Sequence, residues 1–78
     1  HGEEQIELSK NELKILSVLV KHKEEIVSRD NLMEELWQSN EFVDDNTLTV
    51  NINRLRKKLD SIGLADYIVT KRGQGYLV

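Results

Sequence analysis

The sequence predicts a small α+β domain, ordered as a short N-terminal strand, three helices and a C-terminal β-hairpin. Two observations lead to this fold class. Apolar residues recur at helical spacing in three segments, each preceded by a residue suited to capping a helix. Two runs rich in β-branched and aromatic residues then flank a turn with two glycines. At 78 residues and 38% hydrophobic content, the chain can bury one core, so we expect a single domain over residues 1–78.

The N-terminal strand is predicted at residues 4–8, where polar and apolar residues alternate. The first helix should begin after Ser9, because Ser9 and Glu12 match a capping box. Its predicted buried stripe has Leu19 beside three residues at helical spacing: Leu13, Leu16 and Val20.

The second helix should begin after Ser28, a residue type that caps helix starts. One face of this helix carries four apolar residues: Leu32, Met33, Leu36 and Trp37. Residues 38–45 have no helical period and are rich in Ser, Asn and Asp, which predicts a loop. We expect Phe42 and Val43 to pack inward from this loop.

The third helix is predicted from about residue 45 to Ser61, capped by Asp44 or Asp45 and followed by Gly63 at a left-handed position. At about 100° per residue, one stripe is apolar and should be buried: Leu48, Ile52, Leu55 and Leu59. The opposite face carries polar residues around one aliphatic residue: Asn46, Val50, Asn53, Arg54 and Lys57. Thr47 and Asn51 flank that face.

The polar face of the third helix is unusual for a solvated surface. It has no carboxylate between Asn46 and Lys58, whereas surface helices usually mix charges, and it exposes Val50 among polar groups. Contact with a DNA major groove accounts for both features, because Arg bonds guanine, Asn bonds adenine and aliphatic groups touch the thymine methyl. The alternative is an ordinary solvated helix face.

The hairpin is predicted from strands at residues 67–70 and 76–78. Lys71 and Arg72 stand in the intervening turn, where an arginine could enter a narrow, negatively charged minor groove. The alternative is a basic turn whose glycines, Gly73 and Gly75, serve conformation only.

The composition excludes several function classes. Residues 1–45 hold twelve acidic and five basic residues, whereas residues 46–78 hold two acidic and six basic ones, so a positive surface is expected in the second part. There is no cysteine, and His1 and His22 make neither a catalytic pair nor a metal site. We therefore expect no enzyme activity, cofactor, metal or membrane segment, and a cytoplasmic location.

Nearly the whole chain resembles the C-terminal effector domains of the OmpR/PhoB family of response regulators. The matching motifs are, in order, Ser9-x-x-Glu12-Leu13, Val27-Ser-Arg-x-x-Leu32, Leu36-Trp37, Val43-Asp44, residues 47–59 and residues 70–76. The resemblance implies a winged helix-turn-helix whose third helix enters the major groove of double-stranded DNA. The hairpin at 67–78 is then the wing, in the minor groove, and the loop at 38–45 faces RNA polymerase.

The resemblance also assigns roles to individual residues. It implies phosphate contacts by three residues of the third helix: Thr47, Asn51 and Arg56. It implies base contacts by Val50 and Arg54, which the helical wheel indicates independently. In the wing it implies that Thr70 contacts the DNA backbone and that Arg72 inserts into the minor groove. Trp37 is expected to be a core residue that also approaches a phosphate. The predicted DNA-binding set is completed by Asn53, Lys57 and Lys71.

Two positions depart from the family pattern, in which an arginine commonly stands at Asn46 and an aspartate at Thr49. The segment 46–51 is similar to a branch that regulates responses to cell-envelope and peptide-antibiotic stress in Gram-positive bacteria. The resemblance further implies an upstream receiver domain, a cognate sensor kinase that acts through it, and a tandem dimer on DNA. The competing hypothesis is a winged-helix protein-interaction module, which should expose an apolar wing instead of Lys71 and Arg72.

Overall fold

The computed structural model describes residues 6–39 and 42–78, which form three helices followed by an antiparallel strand pair. The helices are α1 (Lys10–Lys21), α2 (Arg29–Gln38) and α3 (Asp45–Ser61), and the strands are β1 (Val69–Lys71) and β2 (Gly75–Leu77). The predicted three helices and C-terminal hairpin are confirmed. The three helices pack on one another, and the hairpin closes one side of their core.

The predicted N-terminal strand is absent from its described part. Ile6 and Leu8 pack against the core while Glu7 is exposed, which is the alternation that suggested a strand. None of the described strands pairs with these residues, so no ladder of backbone hydrogen bonds defines one. Residues 4 and 5 lie outside the described residues.

Each helix begins at a side-chain cap. The Glu12 backbone N–H donates to Ser9 Oγ over 3.1 Å, and the Ser9 N–H donates to Glu12 Oε1 over 2.7 Å, which completes the predicted capping box. Ser28 caps α2 through its side chain, because Ser28 Oγ accepts a hydrogen bond from the Asn31 backbone N–H over 3.1 Å. Of the two candidates for α3, Asp44 is the cap, and its hydrogen bond from the Thr47 backbone N–H lowers the Asp44 pKa.

Helix α3 ends at a glycine in the left-handed conformation, as predicted. Gly63 has φ 84°, and its N–H donates to the Asp60 carbonyl over 3.0 Å. The Leu64 N–H donates to the Leu59 carbonyl over 2.9 Å, which completes a Schellman motif. The apolar stripe predicted for this helix is buried throughout.

The predicted buried stripe of α1 is wrong in part. Leu13 and Val20 are exposed and Leu16 is only half-buried, whereas Leu19 is buried. The residues of α1 that face the core are Glu12, Ile15, Val18 and Leu19. Apolar residues lie on several sides of this helix, and the buried side includes an acidic residue.

That acidic residue, Glu12, pairs with Lys58 and thereby ties α1 to α3. Lys58 Nζ donates to Glu12 Oε1 over 2.6 Å and to the Glu7 carbonyl over 2.8 Å. The Glu12 side chain is 1% exposed, and Lys58 remains partly in solvent. Burial raises the pKa of Glu12, but the hydrogen bonds from Lys58 and Ser9 outweigh burial and leave this pKa below its usual value.

The loop before α3 is anchored by one of its two predicted residues. Val43 is buried, but Phe42 is 94% exposed, so the prediction that Phe42 packs inward is wrong. Trp37 is also not a core residue, because 46% of it is exposed. Its indole N–H donates to the Val43 carbonyl over 3.1 Å, and this bond ties the end of α2 to the loop.

The hairpin differs from its prediction in its bounds. β1 begins at Val69 instead of residue 67, and Lys71 pairs with Gly75 inside the ladder instead of lying in the turn. The hairpin is held to the link between α1 and α2 through Val27 and Tyr76. The N–H of each donates to the carbonyl of the other, over 2.8 and 2.9 Å.

Candidate nucleic-acid interface

The outward face of α3 carries the polar residues that the sequence predicts there. Five side chains of this helix are exposed on that face: Asn46, Val50, Asn53, Arg54 and Lys57. Val50 is among the exposed large hydrophobic residues, at 45%. The described face therefore combines hydrogen-bond donors, two cations and one aliphatic group, without a carboxylate between Asn46 and Lys58.

Thr47 and Asn51 lie at the edge of that face. Thr47 is half-buried, whereas Asn51 is only 8% exposed. The Asn51 side-chain amide donates to the Thr47 carbonyl over 2.9 Å, one turn earlier in the helix. Asn51 thus lies on the buried side of this edge, and its amide is engaged within the helix.

The wing presents its basic residues to solvent. Thr70, Lys71 and Arg72 are all exposed. Arg72 begins the turn, where Gly73 has φ 72°, a left-handed conformation that favours glycine. The turn therefore projects Arg72 away from the helical core.

Arg56 lies between α3 and the wing. Its Nη2 donates to the Thr70 hydroxyl, and its guanidinium carbon lies 5.9 Å from the centre of the Tyr76 ring. Arg56 Nε is buried and has no hydrogen-bond partner among the described residues. Arg56 and Thr70, both predicted to contact DNA, are thus in contact with each other.

Arg29, the first residue of α2, is not among the contact residues that the sequence predicts. Its Nε donates to Asp45 Oδ1 over 2.9 Å, and its Nη2 donates to the Asp45 carbonyl over 2.7 Å and to Thr49 Oγ1 over 2.8 Å. Its Nη1 donates to the Tyr76 hydroxyl over 2.5 Å. The hydrogen bond to Asp45 raises the pKa of Arg29. The signal available in the sequence was only the motif Val27-Ser-Arg that precedes α2.

A groove of about 470 Å³ separates the start of α2 from the wing. Three cations, those of Arg29, Lys71 and Arg72, and one carboxylate, that of Asp30, contribute to its lining. The exposed polar face of α3 and this basic wing surface could together contact a polyanion, because both present cations and donors to solvent.

Two other features are absent from the described parts of the chain: a metal-binding cluster and a membrane-spanning helix. In residues 6–39 and 42–78, no three His, Asp or Glu side chains cluster closely enough to hold a metal ion. Among the three described helices, none has the length and hydropathy needed to cross a membrane.

Comparison with known proteins gives a family match over nearly the whole chain. The family model described as "Transcriptional regulatory protein, C terminal" matches residues 2–78. The sensory transduction protein BceR of Halalkalibacterium halodurans is 60% identical over 72 residues, which are 92% of this chain and 31% of that protein. The chain thus spans about a third of the length of this curated relative.

Two solved structures share the architecture. The C-terminal domain of the nisin resistance regulator NsrR, a lantibiotic response regulator, superposes with a TM-score of 0.88 at 51% identity, over 96% of this chain and 76% of that one. The Klebsiella pneumoniae RstA DNA-binding domain, in complex with the RstA box, has a TM-score of 0.76 at 37% identity, over 97% and 76%.

Proposed function

The chain belongs to the family of C-terminal domains of transcriptional regulatory proteins, and we propose that it binds double-stranded DNA sequence-specifically as the effector domain of a two-component response regulator. The observation that carries this proposal is the exposed face of α3, which joins Asn53, Arg54 and Lys57 to an exposed Val50. The similarity to a DNA-binding domain bound to its target box supports the same role.

The exposed face of α3 is proposed to lie in the major groove. Arg54 and Asn53 supply donors for guanine and adenine edges, and Val50 supplies an aliphatic contact for a thymine methyl group. Thr47, at the edge of this face, and Lys57, near its C-terminal end, contact phosphates and thereby fix the register of the helix on the duplex.

The wing is proposed to lie over the adjacent minor groove. Arg72, projected by the turn, enters the groove, and Lys71 contacts a phosphate. Thr70 and Arg56 are hydrogen-bonded to each other. We propose that together they contact the DNA backbone next to this groove. These exposed polar residues also disfavour the protein-interaction alternative, which requires an apolar wing.

Two predicted contacts receive a narrower role. Asn51 is buried with its amide bonded to the Thr47 carbonyl, so we propose that it supports the phosphate contact of Thr47 instead of making one itself. The Trp37 indole N–H is engaged by the Val43 carbonyl, so we propose that Trp37 meets the DNA backbone through van der Waals contact of its exposed ring and not by a hydrogen bond to a phosphate.

The partners of the longer protein are proposals of the same kind. A receiver domain upstream would couple this domain to a cognate sensor kinase, and two copies would bind DNA in tandem. The loop between α2 and α3 would face RNA polymerase, which the exposure of Phe42 supports. A cytoplasmic location follows from contact with DNA and polymerase. The similarity to a lantibiotic response regulator supports a role in peptide-antibiotic stress.

Selection of bound sequences from random duplex DNA tests the proposal. We expect a defined motif to be enriched, and a repeat at about one helical turn, ~10 to 11 bp, would indicate tandem binding. A variant that carries Arg54→Ala and Arg72→Ala is the control and should enrich a motif with weaker preference at the base pairs that these two arginines meet. Failure of the wild-type domain to enrich any sequence would contradict the proposal.

A further inference from the structure

Arg29 joins the two elements that are proposed to contact DNA. Three of its four hydrogen bonds go to the first turn of α3, to Asp45 Oδ1, the Asp45 carbonyl and Thr49 Oγ1. The fourth goes to the Tyr76 hydroxyl on β2. Arg29 itself lies on α2, outside both elements, and its side chain is 29% exposed.

Tyr76 is the point at which the wing receives these contacts. Its side chain is buried, and it lies opposite Thr70 in the strand register. Its ring lies 5.9 Å from the guanidinium carbon of Arg29 and 5.9 Å from that of Arg56. One guanidinium from α2 and one from α3 therefore hold the base of the wing, and Arg72 extends from that base.

The geometry of this network requires a guanidinium. Its planar fork reaches acceptors on α3 and on β2 at once, whereas the ammonium group of a lysine carries the same charge at a single point. Thr49 offers Arg29 a neutral hydroxyl. The described part of the site thus pairs Arg29 with one carboxylate, that of Asp45.

Resting on the proposed function, we propose that Arg29 is a positioning residue for DNA recognition. By bonding the first turn of α3 and the Tyr76 hydroxyl together, it fixes the angle between α3 and the wing. It thereby sets how strongly the domain prefers the base pairs that Arg72 meets. The contribution of Arg29 comes from its directed hydrogen bonds and not from its charge.

The test compares Arg29→Lys, Tyr76→Phe and the double variant on two duplexes that share the selected motif. The duplexes differ only in an A·T-rich or a G·C-rich flank at the wing. Wild type should prefer the A·T-rich flank, and each single variant should lose about threefold or more of that preference. The double variant should lose no more than either single variant, because both changes break one link. Tyr67→Phe is the control, since its hydroxyl takes no part in the network, and it should keep the preference.

The outcomes separate this inference from the proposed function. If Arg29→Lys and Tyr76→Phe kept the wild-type preference for the flank, the inference alone would be overturned. Arg29 would then contribute only its positive charge. Absence of sequence-specific binding by the wild-type domain would overturn the proposed function and the inference with it. Unfolding in urea checks that the variants are folded, and a preference lost by folded variants with the motif still bound supports the inference.

Discussion

Gly75 lies directly against the backbone of Val27. A Cβ atom at Gly75 would come within 2.1 Å of the Val27 carbonyl oxygen, and the φ of 150° is one that side chains rarely adopt. Gly75→Ala should therefore destabilise the domain by about 3 kcal/mol or more, since the atoms in the way are backbone. Urea unfolding measures this change.

Gly73→Ala provides the matched control. Its φ is also left-handed, at 72°, but nothing lies within 4 Å of the added Cβ. We expect a cost of about 1 to 2 kcal/mol, from backbone conformation alone. Equal losses for the two variants would mean that the contact between the wing and Val27 does not hold the hairpin in place.

The hairpin of the wing can be predicted from the sequence, but its contacts with the rest of the domain cannot. Two β-prone runs around Gly73 and Gly75 predict a hairpin because turn chemistry is local. The contact of Gly75 with Val27 joins positions far apart in the chain, so no local pattern indicates it. The same holds for Arg29, whose partners Asp45 and Tyr76 are brought to it only by packing.

The pair of Glu12 and Lys58 predicts a pH-dependent stability. The folded state lowers the pKa of Glu12. The ionised Glu12 therefore stabilises the folded state above the usual glutamate pKa, and this stabilisation is lost as the pH falls through the pKa of Glu12 in the folded protein. Glu12→Gln keeps an amide for the capping box but removes the charge, and it should cost about 1 to 3 kcal/mol at neutral pH.

Urea unfolding of both proteins across the acid range checks this prediction. The difference in the free energy of unfolding between wild type and Glu12→Gln should be constant above the usual glutamate pKa, which is about 4.3, and should become smaller below it. A difference that stays the same down to strongly acidic pH would show that the ionisation of Glu12 does not contribute to stability.

The same pair explains why the buried face of α1 was predicted only in part. Leu13, Leu16 and Val20 satisfy the helical period, but so do Ile15, Val18 and Leu19. Hydrophobicity alone does not choose between two apolar stripes on one short helix. Glu12 lies on the buried stripe because Lys58, from another helix, compensates its charge, and that partner is not visible in a local pattern.

Truncation of Phe42 and of Val43 to alanine should change the free energy of unfolding by different amounts. Phe42 is 94% exposed, so Phe42→Ala should change the free energy of unfolding by no more than about 0.5 kcal/mol. Val43 is buried, and Val43→Ala should cost about 1 to 3 kcal/mol. A large loss for Phe42→Ala in urea unfolding would contradict the exposed position of this ring.

Most of the candidate site follows from the sequence because it lies on one regular helix. Helical geometry places Val50 and Arg54 opposite the buried stripe, and the structure exposes both. Asn51 is buried, because on the wheel it lies about 60° from Leu48, nearer the buried stripe than the polar face, and its amide donates to the Thr47 carbonyl. A wheel gives the direction of a side chain but not the hydrogen bond that holds it.

The wing assignment predicts different effects for two neighbouring basic residues. Arg72→Ala should weaken binding most on duplexes with an A·T-rich flank, where the narrow minor groove concentrates negative potential. Lys71→Ala should weaken binding less and independently of the flank, because it removes a phosphate contact. Both should leave stability within about 0.5 kcal/mol of wild type. Equal, flank-independent losses of affinity would leave no role for Arg72 in the minor groove.

The most direct test of base recognition by α3 is the ratio of specific to nonspecific affinity in Arg54→Ala and Thr47→Ala. These variants should be measured on the selected duplex and on a scrambled one at fixed salt. Arg54→Ala should lower the ratio by a factor that corresponds to about 1 to 3 kcal/mol, because it removes a base contact. Thr47→Ala should weaken both duplexes alike and leave the ratio unchanged. An unchanged ratio in Arg54→Ala would contradict the claim that this helix face contacts bases.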